Sequence, residues 1–324
     1  MSDREGIVCA GNWIVDIVHS IDFWPAKSDL VHISEETMGI GGGAANVAFD
    51  LNALGVGYPI FPVGILGDDN HGQVILDLCK EKGLSTAYLS VMANQSTSHT
   101  HVMNVSGDSR TFFYHSGAND YFDVHSVPIE KLAEKNARIF YLGYLNLLPQ
   151  LDVLNEGRTR AAEVLALARR SGMLTCVDLV SSSNTHYQET VMGTLNEIDW
   201  LFLNEVEAER ATGIALGDGN NRESMLRAAD VLIESGIKKG CVLHTPTLSL
   251  WKTPKEEIWT EVDIVPASEI VSPVGAGDAF AAGLLHGLHE QWPAKECIQL
   301  ANKMAAECLR SATATGGILS LRNT

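Results

Sequence analysis

Apolar residues in this chain follow two alternating patterns, short unbroken runs that are typical of buried strands and longer runs with a helical repeat. The strand-like runs are Ile7–Ala10, Ala137–Leu142, Leu174–Leu179, Trp200–Leu203 and Gly240–His244, and the helix-like runs are Ala45–Leu54, Thr159–Arg170 and Arg222–Ser235. Glycines at 55 and 172 follow the first two helical runs and mark their ends. This alternation predicts an α/β fold with a mostly parallel central sheet and helices on both faces.

Two stretches interrupt the alternation. Residues 13–38 and 96–114 are rich in Val, Ile, Thr, Phe and His, with no helical run between their strand-like parts. They predict a small β-sheet that projects from the core, either as a lid over a ligand or as a surface that pairs two subunits. Extra edge strands of the main sheet are the alternative. We expect one domain over residues 1–324, with both stretches inserted into the α/β core.

Composition narrows the class of partner. The 324 residues hold 23 Lys and Arg against 40 Asp and Glu, a formal net charge of −17. Nucleic acids and anionic membranes select clustered cations, so neither is expected as a partner. The start of the chain has no signal-peptide character, no apolar run could span a bilayer, and the six cysteines show no metal-binding spacing. We therefore expect a cytoplasmic metabolic enzyme that binds phosphate through backbone N–H groups, Mg²⁺ and a few local cations.

A glycine-rich turn carries the most specific chemistry. Gly275-Ala276-Gly277-Asp278 leads directly into an apolar stretch in which Phe280 and Leu284 recur at helical spacing. Flexible glycines and the unpaired N–H groups of a helix start form a cradle for an anion. Asp278 beside that cradle could accept the proton of a substrate hydroxyl that attacks a phosphoryl group. The alternative is that Asp278 only caps the helix.

Polar residues near the N-terminus suggest a site for hydroxyl groups. The loop from Gly39 through Gly42 and Gly43 to Asn46 leaves room for a ligand, and Asn46 offers both a donor and an acceptor. A dinucleotide site is disfavoured, because the glycines do not directly follow the first strand. Asp16 lies just beyond that strand, where ligands bind in open α/β sheets. Its carboxylate could accept two hydroxyl hydrogen bonds, although a solvated turn residue is the simpler interpretation.

A third group follows the strand Trp200–Leu203. Asn204 and Glu207 could hold the water shell of Mg²⁺ beside a triphosphate, or they could simply belong to an acidic helix start. The chain contains no HExxH, GxSxG or GxxxxGK[ST] motif. Zinc-protease, serine-hydrolase and P-loop chemistry are therefore disfavoured.

Taken in order, these motifs resemble the PfkB-type, ribokinase-like carbohydrate kinase family over essentially the whole chain. The C-terminal segment is similar to the family's GAGD signature, and Gly41-Gly42-Gly43-Ala44-Ala45-Asn46-Val47-Ala48 resembles its N-terminal signature. Intermediate landmarks are Gly67-Asp68-Asp69, Phe112-Phe113-Tyr114-His115-Ser116-Gly117-Ala118-Asn119 and Asn204-Glu205-Val206-Glu207.

The resemblance implies an ATP-dependent kinase that phosphorylates a hydroxymethyl group of a sugar of fructose or ribose type, with ATP and Mg²⁺ as cofactors. It implies a ribokinase-like fold whose β-sheet lid pairs two subunits into a homodimer. By position, Asp278 is the general base, and the amides of Gly275, Ala276 and Gly277 form the anion hole. The sugar site comprises Asp16, Gly42, Gly43 and Asn46. The nucleotide site comprises Asn204, Glu207, His244 and Asn302, of which Asn204 and Glu207 also organise Mg²⁺ through water.

Several positions depart from the family pattern. Ser272 stands where relatives usually carry Asp, which puts in doubt the K⁺ site that many of them build beside the turn. The segment His244–Ser249 lacks the usual glycines, so nucleotide contacts are expected to be rearranged. Gly43 and Ile14 replace residues that ribokinases tend to carry, which makes another sugar a better expectation than ribose. A nucleoside kinase of the same fold and a non-catalytic sugar-binding relative are the alternatives, and the sequence does not name the acceptor.

Overall fold

The computed structural model describes residues 4–105, 110–217, 219–311 and 313–318. Their strands are β1 (Ile7–Gly11), β2 (Ile14–Ile21), β3 (Ile33–Gly41), β4 (Ile60–Gly67), β5 (Tyr88–Met92), β6 (His99–Val105), β7 (Thr111–His115), β8 (Ile139–Leu145), β9 (Leu154–Asn155), β10 (Arg158–Thr159), β11 (Leu174–Leu179), β12 (Trp200–Asn204), β13 (Gly240–His244), β14 (Leu248–Lys252) and β15 (Glu257–Glu261). Their α-helices are α1 (Gly43–Leu54), α2 (Asn70–Lys82), α3 (Ile129–Glu134), α4 (Arg160–Arg170), α5 (Tyr187–Met192), α6 (Glu205–Thr212), α7 (Arg222–Glu234), α8 (Ala276–His289) and α9 (Ala294–Leu309).

Nine strands form the main sheet, in the order β15-β14-β13-β12-β11-β8-β1-β4-β5. The seven strands from β13 to β5 pair in parallel, and β14 and β15 extend the edge as antiparallel strands. The predicted mostly parallel sheet is confirmed. Because parallel strands end at the same edge, the residues that follow β1, β8, β11 and β12 are brought together at the C-terminal edge.

Helices cover both faces of this sheet, as the alternation of apolar runs predicts. Successive residues of β1 point to opposite sides: Val8 packs into a core shared with α4 and α7, whereas Cys9 packs into a core shared with α1, α8 and α9. All five residues of β1 are buried, which explains why this strand is an unbroken apolar run and not an alternating one.

The two β-like stretches form a separate four-stranded sheet in the order β3-β2-β6-β7. Strand β2 pairs antiparallel with β3 and parallel with β6, and β6 pairs antiparallel with β7. The prediction of a small second sheet is confirmed, and the alternative of edge strands on the main sheet is wrong. In this second sheet Asp16 pairs with Thr100, which pairs with Tyr114, so the three side chains lie on one face.

Most predicted boundaries agree with the structure to within two residues, and the strand at Ala137–Leu142 shifts most. It begins at Ile139 because the N–H of Ala137 bonds to Leu132 O, which closes the end of α3. It continues to Leu145, at the C-terminal edge of the sheet. Among the described residues, none of the helices combines the length and the apolar character that a membrane span requires.

Candidate active site

A cavity of about 1020 Å³ lies between the C-terminal edge of the main sheet and the second sheet. The second sheet contributes Asp16, Thr100, Asn104, Arg110, Phe112 and Tyr114, and the core contributes Gly42, Asn46, Tyr144, Ser181–Ser183 and Gly275. We refer to it as the acceptor cavity. It brings the predicted residues Asp16, Gly42, Asn46 and Gly275 to one place, although they are far apart in the sequence.

Asp278 lies at the junction of this cavity with the glycine turn. Its side chain is 3% exposed, and its Oδ2 accepts hydrogen bonds of 2.8 Å from Asn46 Nδ2 and from the Tyr144 hydroxyl. Gly275, with φ of 86°, is the N-cap of α8, and no side chain caps this helix. The alternative that Asp278 is only a cap is therefore wrong. Its Oδ1 is buried and has no hydrogen-bond partner among the described residues.

The electrostatics of Asp278 suit a base. Burial raises the pKa of Asp278 to about 6, while the hydrogen bonds from Asn46 and Tyr144 oppose that rise and the Asp16 carboxylate adds to it. The carboxylate is therefore mostly ionised at pH 7 and has a higher proton affinity than an exposed aspartate. That combination is what a general base near neutral pH needs.

Tyr144 is a site residue that the sequence interpretation missed. It lies at the end of β8 with φ of 63°, unusual for a bulky residue, and its N–H donates to Asp178 Oδ1 at 2.9 Å. A Cβ at Gly43, the first residue of α1, would lie 2.6 Å from the Tyr144 ring. Gly43 therefore makes room for Tyr144, and its predicted role in sugar binding stays a prediction. Tyr144 follows the carboxyl end of a predicted strand, and that position was the signal that could have identified it.

Asp16 lies within β2 and faces the acceptor cavity. A Cβ at Gly41 would lie 2.2 Å from Asp16 Oδ2, so the glycine lets the carboxylate pack against the backbone. Burial raises the pKa of Asp16 to about 6, and the Thr100 hydroxyl and the Arg110 guanidinium oppose that rise. Asp16 is therefore part of a strand and lines a cavity, which differs from the interpretation of Asp16 as a solvated turn residue. Arg110 also was not identified from the sequence, because it lies just before the landmark segment that begins at Phe112 and is not part of it.

Asn204 and Glu207 line a smaller cavity of about 170 Å³ together with His244, Gly277 and Asp278. They form a reciprocal cap on α6: Glu207 N–H donates to Asn204 Oδ1 and Asn204 N–H donates to Glu207 Oε2, both at 2.9 Å. Burial raises the pKa of Glu207 to about 7. The cap thus accounts for part of this motif, and the carboxylate still borders the cavity beside Asp278.

The two remaining nucleotide-site residues lie at different distances from this cavity. His244 lines it and packs on the Phe280 ring, and burial lowers the pKa of His244 to about 4, so it is neutral at pH 7. Asn302 lies on α9, where its Oδ1 accepts from Ser249 Oγ at 2.8 Å. It is outside the lining of both cavities. Ala276 is the first residue of α8, between the two lining glycines Gly275 and Gly277.

Comparison with known proteins finds similarity along nearly the whole chain. Residues 5–320 match the model of the pfkB family carbohydrate kinases. A ribokinase from Arabidopsis thaliana is 25% identical over 94% of this chain and 76% of its own length. A nucleoside kinase from Methanothermobacter thermautotrophicus is 23% identical over 94% of this chain and 90% of its own. Fructokinase-1 of Oryza sativa subsp. japonica is 25% identical over 98% of this chain and 94% of its own length.

Solved structures show the same fold. The Arabidopsis thaliana ribokinase structure, complexed with ribose and ATP, superimposes with a TM-score of 0.79 at 22% identity and covers 100% of both chains. A ribokinase from Thermotoga maritima superimposes with a TM-score of 0.77 at 18% identity, covering 99% of this chain and 100% of its own. The fold is therefore ribokinase-like.

Proposed function

Since this chain belongs to the pfkB family of carbohydrate kinases, we propose that it is an ATP-dependent kinase that phosphorylates a hydroxymethyl group of a sugar of fructose or ribose type. The observation that carries this proposal is Asp278. It is a buried carboxylate with one oxygen held by two donors, the other oxygen without a partner among the described residues, and a helix N-terminus directly beside it.

In the proposed mechanism, the acceptor hydroxyl donates a hydrogen bond to Asp278 Oδ1. As the hydroxyl oxygen attacks the γ-phosphorus of ATP, its proton moves to Asp278, and the bond from that phosphorus to the leaving ADP oxygen breaks. Asn46 and Tyr144 hold Oδ2, so the carboxylate keeps its orientation throughout. Asp16 accepts hydrogen bonds from the other hydroxyl groups of the sugar.

The glycine turn stabilises the transferred phosphoryl group. The N–H groups of Gly275, Ala276 and Gly277 lie in or just before the first turn of α8, where a helix cannot satisfy its own donors. Ala276 N–H makes only a weak contact of 3.5 Å with Pro273 O. These donors and the positive end of the helix dipole meet the charge that develops on the phosphoryl oxygens.

The donor set of the smaller cavity fits Mg²⁺ only in combination with phosphate. Over residues 4–105, 110–217, 219–311 and 313–318, no group of three or more His, Cys, Asp or Glu side chains is placed to hold a metal ion. Mg²⁺ typically keeps several waters and binds through one or two carboxylates plus substrate phosphates. Glu207 and Asn204 are placed to hold such waters, and the bound ion would neutralise phosphate charge. His244 and Asn302 stay predicted contacts of the nucleotide.

A nucleoside kinase is the second candidate, because the acceptor cavity continues into another. A cavity of about 630 Å³ shares Tyr114, Leu147, Ser182 and Ser183 with it. Asn146 also lines this second cavity; it is buried, and its Nδ2 has no partner among the described residues. A monosaccharide leaves that space unused, whereas a nucleoside base could fill it and accept from Asn146.

Coupled measurement of ADP release tests the proposal. The panel contains sugars (fructose, ribose, tagatose and their phosphates) and nucleosides (adenosine, inosine, cytidine). Each compound is tested alone as the acceptor with Mg²⁺-ATP, in K⁺ buffer and in tetramethylammonium buffer. We expect one sugar to give saturable turnover and Asp278→Asn to lower kcat about 10²- to 10⁴-fold with little change in KM. A nucleoside as the best acceptor would favour the second candidate.

The Asp278→Asn variant is expected to fold. Because burial raises the folded-state pKa of Asp278 above its unfolded value, the ionised carboxylate destabilises the folded state at pH 7. That cost is absent below about pH 4, so the amide should be at least as stable as the parent at pH 7. Turnover that survives Asp278→Asn would contradict the assigned base. Saturable sugar binding by calorimetry without ADP release would indicate the non-catalytic relative.

We also propose that the second sheet pairs two copies of the chain. Large apolar side chains are exposed on this sheet and on the loop between β2 and β3, namely Phe23, Trp24, Leu30, Ile33, Met38 and Phe113. Such a concentration of exposed apolar surface is typical of protein interfaces.

A further inference from the structure

Arg110 connects the second sheet to the glycine turn across the acceptor cavity. It directly precedes β7, and its Nη1 donates to Ser272 Oγ at 2.7 Å, a contact between residues 162 positions apart. Its Nε lies 3.3 Å from Asn104 Oδ1 on β6, which fixes the side chain along the inner face of the sheet. The guanidinium therefore has one anchor on the second sheet and one at the entrance of the turn.

Ser272 is a rigid partner for this contact. Its side chain is 0% exposed, and its Oγ also accepts from the N–H of Val274, at 3.2 Å, inside the turn. The backbone N–H of Ser272 bonds to Leu309 O at the end of α9. A movement of the second sheet away from the core must therefore break the Arg110–Ser272 hydrogen bond or disturb the turn that carries Gly275.

The same guanidinium acts on Asp16. Among the described residues that line the acceptor cavity, Asp16 and Arg110 are the charged ones. Burial disfavours both charges, and each favours the ionised form of the other. The Asp16 carboxylate in turn raises the pKa of Asp278 on α8, and the Tyr144 hydroxyl on β8 is neutral. Of the described residues lining this cavity, Arg110 is thus the cation that offsets the Asp16 carboxylate.

We propose that Arg110 is a positioning residue for the acceptor: it keeps Asp16 anionic and ties the second sheet to the glycine turn through Ser272. This inference rests on the proposed kinase function for its kinetic consequence, but not for its electrostatic one. With Arg110 in place, Asp16 accepts two hydroxyl hydrogen bonds and the sheet that carries it stays at a set distance from Asp278. Without Arg110, the acceptor meets a partly protonated Asp16 on a sheet free to move.

The titration of Asp16 tests the electrostatic part without any substrate. Carboxyl ¹³C NMR of Asp-labelled protein, with Asp16 assigned by comparison with Asp16→Asn, gives its titration midpoint. Arg110→Met, which keeps the length of the side chain and removes its charge, should raise the midpoint by about one pH unit. Arg110→Lys, which keeps the positive charge, should give a midpoint close to that of the parent. Arg222→Met is the matched control, because Arg222 is exposed and pairs with Glu261 outside the cavity.

Steady-state kinetics on the acceptor found in the panel tests the other part. Arg110→Met should raise the acceptor KM about tenfold, with a smaller change in kcat. It should also move the acid limb of the kcat/KM profile to higher pH, because the pKa of Asp16 rises. Ser272→Ala should lower kcat/KM severalfold without moving the titration midpoint of Asp16, since it removes the hydrogen bonds from Arg110 and from the Val274 N–H but leaves the guanidinium charge in the cavity. Near-UV circular dichroism verifies that each variant is folded.

An unchanged Asp16 midpoint and an unchanged acceptor KM in Arg110→Met would overturn the inference. A panel without an acceptor would count against the kinase function alone, since the Asp16 titration is read without turnover.

Discussion

Tyr144 and Asp278 are joined by a hydrogen bond, and the pKa of the phenol lies far above that of the carboxyl group. Burial, reinforced by the neighbouring carboxylates of Asp278 and Asp178, raises the pKa of Tyr144 well above its usual value. The phenol therefore stays protonated around neutral pH and donates to Asp278 Oδ2. A permanent donor stabilises the ionised carboxylate, so Tyr144 tunes the base as well as orienting it.

Tyr144→Phe tests that role. A hydrogen bond to a charged group contributes roughly 1.5–3 kcal/mol, so its loss should raise the pKa of Asp278 by about one unit. Activity requires the ionised form, and kcat/KM should fall as pH drops through about 6 in the parent and at a higher pH in the variant. The measurement is kcat/KM between pH 5 and 9. Exposed Tyr121→Phe is the control, and coincident acid limbs in Tyr144→Phe and the parent would contradict the assigned role.

At the scale of elements, the glycine turn and α8 act as one unit in which two glycines do different work. Gly275 has φ of 86°, and a Cβ there would lie 2.5 Å from the Cβ of Ala314 and 2.7 Å from its Cα. Gly277 lies in the first turn of α8, where an added Cβ meets nothing within 4 Å. The first glycine is therefore required by the fold, and the open space at the second is available to a phosphate.

Substituting each glycine by alanine should separate these roles. Gly275→Ala forces an alanine to adopt the positive φ of Gly275 and to clash with the backbone of Ala314. It should lower the free energy of unfolding by about 1–3 kcal/mol. Gly277→Ala should leave stability within about 1 kcal/mol, because alanine favours the helix, yet raise the KM for ATP as its methyl group enters the phosphate space. Urea unfolding and ATP kinetics measure the two effects. Equal stability losses in both variants would refute the distinction.

The elements differ in how far the sequence could predict them. Strands such as Leu174–Leu179 are buried on both faces, so their apolar runs are unbroken and their predicted bounds agree with the structure. The glycine turn was predictable because backbone geometry and anion chemistry both demand glycine. The strand end was a signal for the position of Tyr144, but its orientation depends on a positive φ that no local pattern indicates. Arg110 was not predictable, because its role depends on a contact between residues 162 positions apart.

At the scale of the whole molecule, charge and apolar surface oppose each other. The net charge of −17 makes two copies repel. The outer face of the second sheet carries a row of Met38, Ile17, His101 and Phe113, each paired with the next across the strands. Met38 and Phe113, 50% and 53% exposed, lie at the two ends of this row. Burying them against a second copy would remove apolar area from water while the charges elsewhere stay solvated.

Sedimentation velocity at about 10 µM subunit should therefore show a dimer, a concentration at which standard-sized interfaces are usually occupied. The dimer should be tighter at 0.5 M than at 0.05 M NaCl, because salt screens the repulsion between the two acidic subunits and leaves apolar burial intact. Met38→Glu with Phe113→Glu adds two charges to the proposed interface and should give monomers at both salt concentrations. Leu167→Glu, at a site 37% exposed on α4, adds charge outside the second sheet and should leave the dimer intact. A parent chain that sediments as a monomer at 0.5 M NaCl would exclude pairing through this face.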